Sequence, residues 1–217
     1  IYVLLATICD VMPLRKINKI IANNVIENFN IKDNIAFNLL FEQIGLNRKL
    51  TIDDLGFLVG PIINSGGRLG YSAYGTELLS SNNPTIVKKR INELIKLNEK
   101  RKILEQNILN EIDFGLISRQ KQNVIIYFNP NIHEGLIGII AARLKDYFDK
   151  PSIVITSSNN ILKGSARSTL EYNIGNVIKL LVDKKIIENG GGHNMAAGFT
   201  IKRNNIKNLD NFIQKDY

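Results

Sequence analysis

The stretch SNNPTIVKKRINELIKLNEKRKILEQNILNEI, residues 81–112, constrains the fold most, because neither glycine nor proline follows Pro84 within it. Asn83 is a good N-cap, and Pro84 suits the first helical position, where its missing N–H is not needed. Val87, Ile91, Leu94, Leu97, Leu104 and Ile108 recur at spacings of three, four or seven. That is the period of one helical stripe. Arg101 takes a place on the stripe where an apolar residue is expected. At 1.5 Å per residue such a helix is about 40 Å long. A lone helix of this length with so narrow a stripe often joins two domains. The expected organisation is residues 1–82, a linking helix 83–113, and residues 114–217.

The two flanks have different grammars. Residues 1–8 are an apolar run that reads as a strand or buried turn ending at Asp10. LRKINKIIANNVIENF and NIAFNLLFEQIGL carry helical spacing, the second closed by Gly45. A third helix is expected from Thr51 or Ile52 and is predicted to break at Gly60-Pro61. YSAYGTELLSS reads as a further short helix. After Gly115 the pattern changes to NVIIYF (strand), GLIGIIAARLKDYF (helix), PSIVIT and ILKGSARS (strands), NIGNVIKLLVD (helix) and AAGFTI (strand). A sheet covered by helices follows from that order.

Charge bears on the partner. A formal net charge of +8 in 217 residues favours polyanions such as nucleic acid, phosphorylated small molecules or an anionic membrane surface. A compositional bias toward Lys, Ile and Asn explains it equally well. The single Cys9 excludes a disulfide framework and cysteine-ligated zinc, and fits a reducing, cytoplasmic setting. No apolar run approaches the ~18 residues of a transmembrane helix, and no signal peptide is visible. The chain opens on Ile rather than Met, inside what reads as an element, as an internal piece of a longer protein would.

Five short motifs could carry chemistry, each with a plain structural alternative. In GGGHNMAAGFTI, residues 190–201, glycines let a backbone approach a ligand and His193 can donate to a phosphate; the alternative is a mobile turn before a strand. In GSARS, residues 164–168, strand alternation puts Ser165 and Arg167 on one face, suited to an anionic oxygen cluster, or leaves an edge arginine in solvent. In NIHEGLIGIIAARL, His133 precedes a helix start, where anions bind, or simply caps the helix, and Gly135 and Gly138 permit close packing on a sheet. In GPIINSGGRLG, Asn64 and Arg68 sit among glycines, as in a constrained site or a long surface loop. In TICDVMPL, Asp10 lies between apolar flanks and needs a metal, a cation or a capping role; one carboxylate cannot hold a divalent metal alone. Arg101 pairs along its helix or contacts a phosphate between domains.

Taken in order, these motifs resemble those of the RecJ single-stranded-DNA exonucleases of the DHH phosphoesterase superfamily, over nearly the whole chain. TICDVMPL is similar to the family's threonine-x-alanine-aspartate-x-x-proline-leucine motif, and GPIINSGGRLG to its glycine-proline-arginine-isoleucine-asparagine stretch, with Ile62 in the arginine's place. GSARS and GGGHNMAAGFTI look like two motifs of the DHH-associated domain. The resemblance implies an α/β chain: part of a DHH catalytic domain, a long helix, and an α/β DHH-associated domain with a mixed sheet. It further implies two Mn²⁺ or Mg²⁺ ions with Asp10 as one ligand, and a grip on a 5′ phosphate by Arg68, Ser165 and Arg167. His193, Gly191 and Gly192 would line a nucleotide pocket; His133 matches a family position, and with Asn64, and with Arg101 read from the helix stripe alone, it is counted on the substrate side.

The implied activity is metal-dependent 5′-to-3′ hydrolysis of single-stranded DNA in repair and recombination, with a single-strand-binding protein and a helicase as partners and no membrane. The DHH motif and the earlier aspartates are not in these residues, so the polypeptide alone is expected to be inactive. Alternatives are a phosphodiesterase for short RNA or cyclic dinucleotides in the same superfamily, and a single-strand-binding module without catalysis.

Overall fold

The computed structural model describes residues 1–158 and 161–217. The chain divides into two compact units, Ile1–Lys102 and Ile103–Tyr217. The division falls inside one helix, Pro84–Glu111. Its start is the one the sequence predicts, with Asn83 Oδ1 accepting the Thr85 N–H at 2.9 Å. Val87, Ile91 and Leu94 enter the first unit's core, whereas Leu104, Ile108 and Leu109 pack into the second's.

The first unit is helical among its described residues: α1 (Tyr2–Cys9), α2 (Ile17–Asn28), α3 (Ile35–Gln43), α4 (Ile52–Asp54), α5 (Gly60–Arg68), α6 (Ala73–Ser80) and the N-terminal part of α7 (Pro84–Glu111). Residues 1–8, expected as a strand or turn, are therefore a helix. Leu4 and Leu5 are buried and Ile8 packs against the same core, a helical rather than an alternating set. The expected break at Gly60-Pro61 is also absent. Between α4 and α5 the chain makes a π-helical turn, Leu55–Val59, in which the Gly60 N–H bonds to the Leu55 carbonyl. One extra residue in the turn shifts the hydrogen bonds to the i−5 pattern, and Pro61 then enters as one of the first residues of α5, where it needs no donor. GPIINSGGRLG is thus helix up to Arg68, not a glycine-rich loop. Two of its glycines serve packing. A Cβ on Gly66 would meet the Tyr71 carbonyl oxygen at 2.7 Å, and one on Gly60 would meet Cys9 Sγ at 2.7 Å. The buried Ser65 hydroxyl donates to the Leu94 carbonyl at 3.0 Å and ties α5 to α7.

The second unit adds α8 (Phe114–Arg119), β1 (Ile125–Phe128), α9 (Ile137–Phe148), β2 (Ser152–Ser158), β3 (Ile161–Arg167), α10 (Ile174–Asp183), β4 (Asn189–His193), β5 (Ala196–Ile201) and α11 (Ile206–Asp216). The described strands form one mixed sheet in the order β1-β2-β3-β5-β4, with β1 and β2 parallel and the other pairs antiparallel. Ala166, Ala197 and Phe199 face a core shared with Ile174, Ile178 and Leu181 of α10 and with Leu209 and Ile213 of α11. On the opposite face, Val154 packs with Ile137, Ile140 and Leu144 of α9. The glycine triplet, expected as a loop or a mobile turn, is the edge strand β4, held by pairing with β5. No helix of the described residues is long and apolar enough to cross a membrane.

Candidate functional site

The site grows from the alternation of β3. Leu162, Gly164 and Ala166 are buried, while Lys163, Ser165 and Arg167 are half-exposed, so the latter three share a face. Strand register carries that face across the sheet. Lys163 pairs with Thr200 and Thr200 with Asn189; Ser165 pairs with Gly198 and Gly198 with Gly191; Arg167 pairs with Ala196 and Ala196 with His193. Three rows result, with polar or cationic groups on β3, small residues on β5, and an amide, a glycine and a histidine on β4.

The middle row is a bare floor. A Cβ on Gly191 would meet nothing within 4 Å, and one on Gly198 only the Gly164 carbonyl oxygen at 3.9 Å. Gly192 belongs to the opposite face. Its Cβ would lie 2.3 Å from the Ala196 carbonyl oxygen and 2.5 Å from Ala197 Cα. Strand alternation therefore sets Gly191 and Gly192 on opposite faces of the sheet, and only Gly191 adjoins the open floor. Gly190 faces the same way as Gly192, beneath Phe199 and Ile178.

The first turn of α9 lies beside β3. A Cβ on Gly138 would come within 2.9 Å of Arg167 Nη2 and 3.2 Å of Ser165 Oγ. Glycine at this position brings the positive end of a helix next to a guanidinium and a hydroxyl, a combination that favours an anion. Arg167 Nη1 donates to Ser165 Oγ at 3.2 Å and to the Ala166 carbonyl at 2.8 Å, which holds the guanidinium along the strand. His133 is exposed and shapes the approach to α9: its Nδ1 accepts the Gly135 N–H at 3.1 Å, and its carbonyl accepts the Leu136 N–H at 2.9 Å.

Sequence reasoning missed Glu134 and Lys163. Glu134 accepts hydrogen bonds from Lys163 Nζ and Ser158 Oγ. The Lys163 hydrogen bond, then the Ser158 one, holds the Glu134 carboxyl below the usual carboxylate range, with the charges of Lys163 and His133 adding to the effect. Lys163 was findable, since it precedes Ser165 by two residues in a strand. The Glu134 pairing spans 29 residues and had no local signal.

The other predicted residues lie in the first unit. Asn64 and Arg68, four apart on α5, share a helical face, with Asn64 exposed. Arg101 Nε donates to the buried Asn98 Oδ1 at 3.1 Å, a contact along its own helix. Asp10 is exposed at the C-terminal end of α1, where the helix dipole disfavours a carboxylate. The next residue, Val11, has φ 52°, a strained value for a β-branched side chain. Among the described residues no group of three or more His, Cys, Asp or Glu side chains gathers as a metal centre would need. One carboxylate does not fit a two-metal site.

The model of the DHHA1 domain family matches residues 121–216. Residues 121–216 are thus similar to a DHHA1 domain. The β3–α9 site lies wholly within the matched residues. Over 210 residues the chain is 32% identical to the single-stranded-DNA-specific exonuclease RecJ of Haemophilus influenzae, covering 92% of this chain and 36% of that protein. Against RecJ of Escherichia coli the identity is 30% over 215 residues, covering 94% and 37%. The chain thus spans about a third of the length of these curated relatives. A crystal structure of Thermus thermophilus RecJ in complex with Mn²⁺ matches 98% of this chain and 31% of its own with a TM-score of 0.85 at 23% identity. The corresponding Mg²⁺ complex gives 0.82 at 24%, covering 98% and 33%. At such identities the match is one of fold.

Proposed function

We propose that this chain serves a DHH-family exonuclease that degrades single-stranded DNA from the 5′ end, and that its DHHA1 domain holds the terminal phosphate. The observation that carries this reading is the convergence of Ser165, Arg167 and the first turn of α9 beside the bare Gly198–Gly191 floor. In this reading the hydroxyl, guanidinium and helix end bind phosphate oxygens, and the floor admits the sugar and base. His193 on the third row reaches the nucleotide from the sheet edge. A site built from one edge of a sheet suits a single strand, whose bases are free to lie against protein. The RecJ names of the relatives support the substrate class, and dependence on Mn²⁺ or Mg²⁺ is proposed with it.

Asp10, Asn64 and Arg68 are proposed as the first unit's contribution, Asp10 as one metal carboxylate and Arg68 as a further phosphate contact. The roles in repair and recombination, the cytoplasmic setting, and the partnership with a single-strand-binding protein and a helicase belong to the same proposal.

The test compares 5′-phosphorylated and 5′-hydroxyl oligothymidylate by fluorescence anisotropy. The chain should prefer the phosphorylated end, and Arg167→Ala should abolish that preference. Loss of a charge-assisted contact costs roughly 1.5–3 kcal/mol. Equal affinity of the unmutated chain for the two ends would remove the phosphate role.

A further inference from the structure

Lys163 stands on the same face of β3 as Ser165 and Arg167 and is engaged by Glu134 in the free protein. Two residues along a strand advance about 6.7 Å. That step is comparable with the phosphate-to-phosphate spacing of an extended single strand. We propose that Lys163 binds the second phosphate of the strand, one nucleotide in from the end held by Ser165 and Arg167, and that Glu134 occupies the lysine until the strand arrives.

Four observations converge. Ser165 lies between Lys163 and Arg167, so the two cations bracket the hydroxyl at strand spacing. The lysine's row continues through Thr200, whose hydroxyl bonds Asn189 Oδ1 at 2.9 Å, so the surface beside it is polar rather than packed. The ion pair is open, with side-chain exposures of 40% for Lys163 and 42% for Glu134, and a pair this exposed is weak and readily exchanged for a phosphate. Glu134 keeps a second donor, Ser158, after the lysine leaves. The carboxylate is therefore not stranded by the exchange. The device would also discriminate, because a mononucleotide whose phosphate takes the terminal position leaves Lys163 paired with Glu134.

This inference rests on the 5′-phosphate reading, and the ligands are chosen to separate the two. Thymidine 5′-monophosphate, 5′-phosphorylated dithymidylate and dithymidylate lacking the 5′ phosphate are titrated into the whole chain by NMR. Arg167→Ala should weaken the monophosphate; an unchanged affinity there overturns the terminal-phosphate reading and leaves Lys163 to be judged on the unphosphorylated dinucleotide. Lys163→Ala should weaken both dinucleotides about five- to tenfold and leave the monophosphate unaltered. Glu134→Gln should tighten the dinucleotides alone. For Lys163→Ala the salt dependence of dinucleotide binding should also flatten, by a slope of about 0.7. Equal losses on all three ligands would mean that the pair merely ties the α9 approach to β3. No loss on the dinucleotides would mean that Lys163 meets no phosphate. Either result overturns the proposal.

Discussion

Gly191 and Gly192 are neighbours in sequence and opposites in the sheet. Gly191 stands over open space, while a Cβ on Gly192 would run into the backbone of Ala196 and Ala197. Substitution should separate them. Gly192→Val overpacks a paired strand and should lower stability by roughly 1–3 kcal/mol. Gly191→Val should leave the melting temperature unchanged or slightly raised, since a β-branched residue suits a strand, yet should weaken oligonucleotide binding by covering the floor. Thermal melting followed by anisotropy on both variants checks the pair; a stable Gly192→Val protein would contradict the register. Ile62 makes a similar point. It replaces the arginine of the resembling motif, and it is buried in the first unit's core at 3% exposure. The position therefore serves packing in this chain.

At the scale of elements, the run from α4 to α5 depends on its start. Thr51 and Asp54 form a reciprocal capping box, and Asp54 is held bidentately by Arg48 at 2.6 and 2.7 Å. Thr51→Ala should cost about 1 kcal/mol. The Arg48 hydrogen bond foremost, then those of Thr51, holds the Asp54 carboxyl below the usual carboxylate range. A carboxyl depressed on folding adds stability above its unfolded pKa and loses it as pH falls through the folded one. The first unit should therefore weaken on acidification below about pH 4, and Asp54→Asn should flatten that part of the profile. Circular dichroism melts from pH 3 to pH 7 test this; an unaltered slope in the variant would exclude the cap as an acid-sensitive contact.

For the whole molecule, binding and cutting should part company. The net charge of +8 and the β3 cations favour a strand, while no described cluster of acidic or histidine side chains can hold a metal. The 217-residue polypeptide should therefore bind oligothymidylate, more weakly as salt rises, and release no nucleotides with Mn²⁺ or Mg²⁺ present. Nucleotide release that Asp10→Ala abolishes would show that these residues suffice for catalysis.

What the sequence determined by itself was whatever short-range periodicity and caps encode. The α7 start at Asn83-Pro84, the strands β1, β2, β3 and β5, the helices α9 and α10, and the shared face of Ser165 and Arg167 were all legible from spacings of two, three or four residues. Tertiary structure decided the rest. Residues 1–8 are too short and too uniformly apolar to show a period, so burial against the first unit's core chose the helix. Pro61 stays within a helical run because the preceding π turn absorbs it, and that turn packs Gly60 against Cys9. Three glycines have little strand propensity of their own, and β4 exists because β5 pairs with it. The contact of Gly138 with Arg167 and the Glu134–Lys163 pair join β3 to the start of α9 across 29 residues, a distance over which local chemistry carries no signal and only packing brings the groups together.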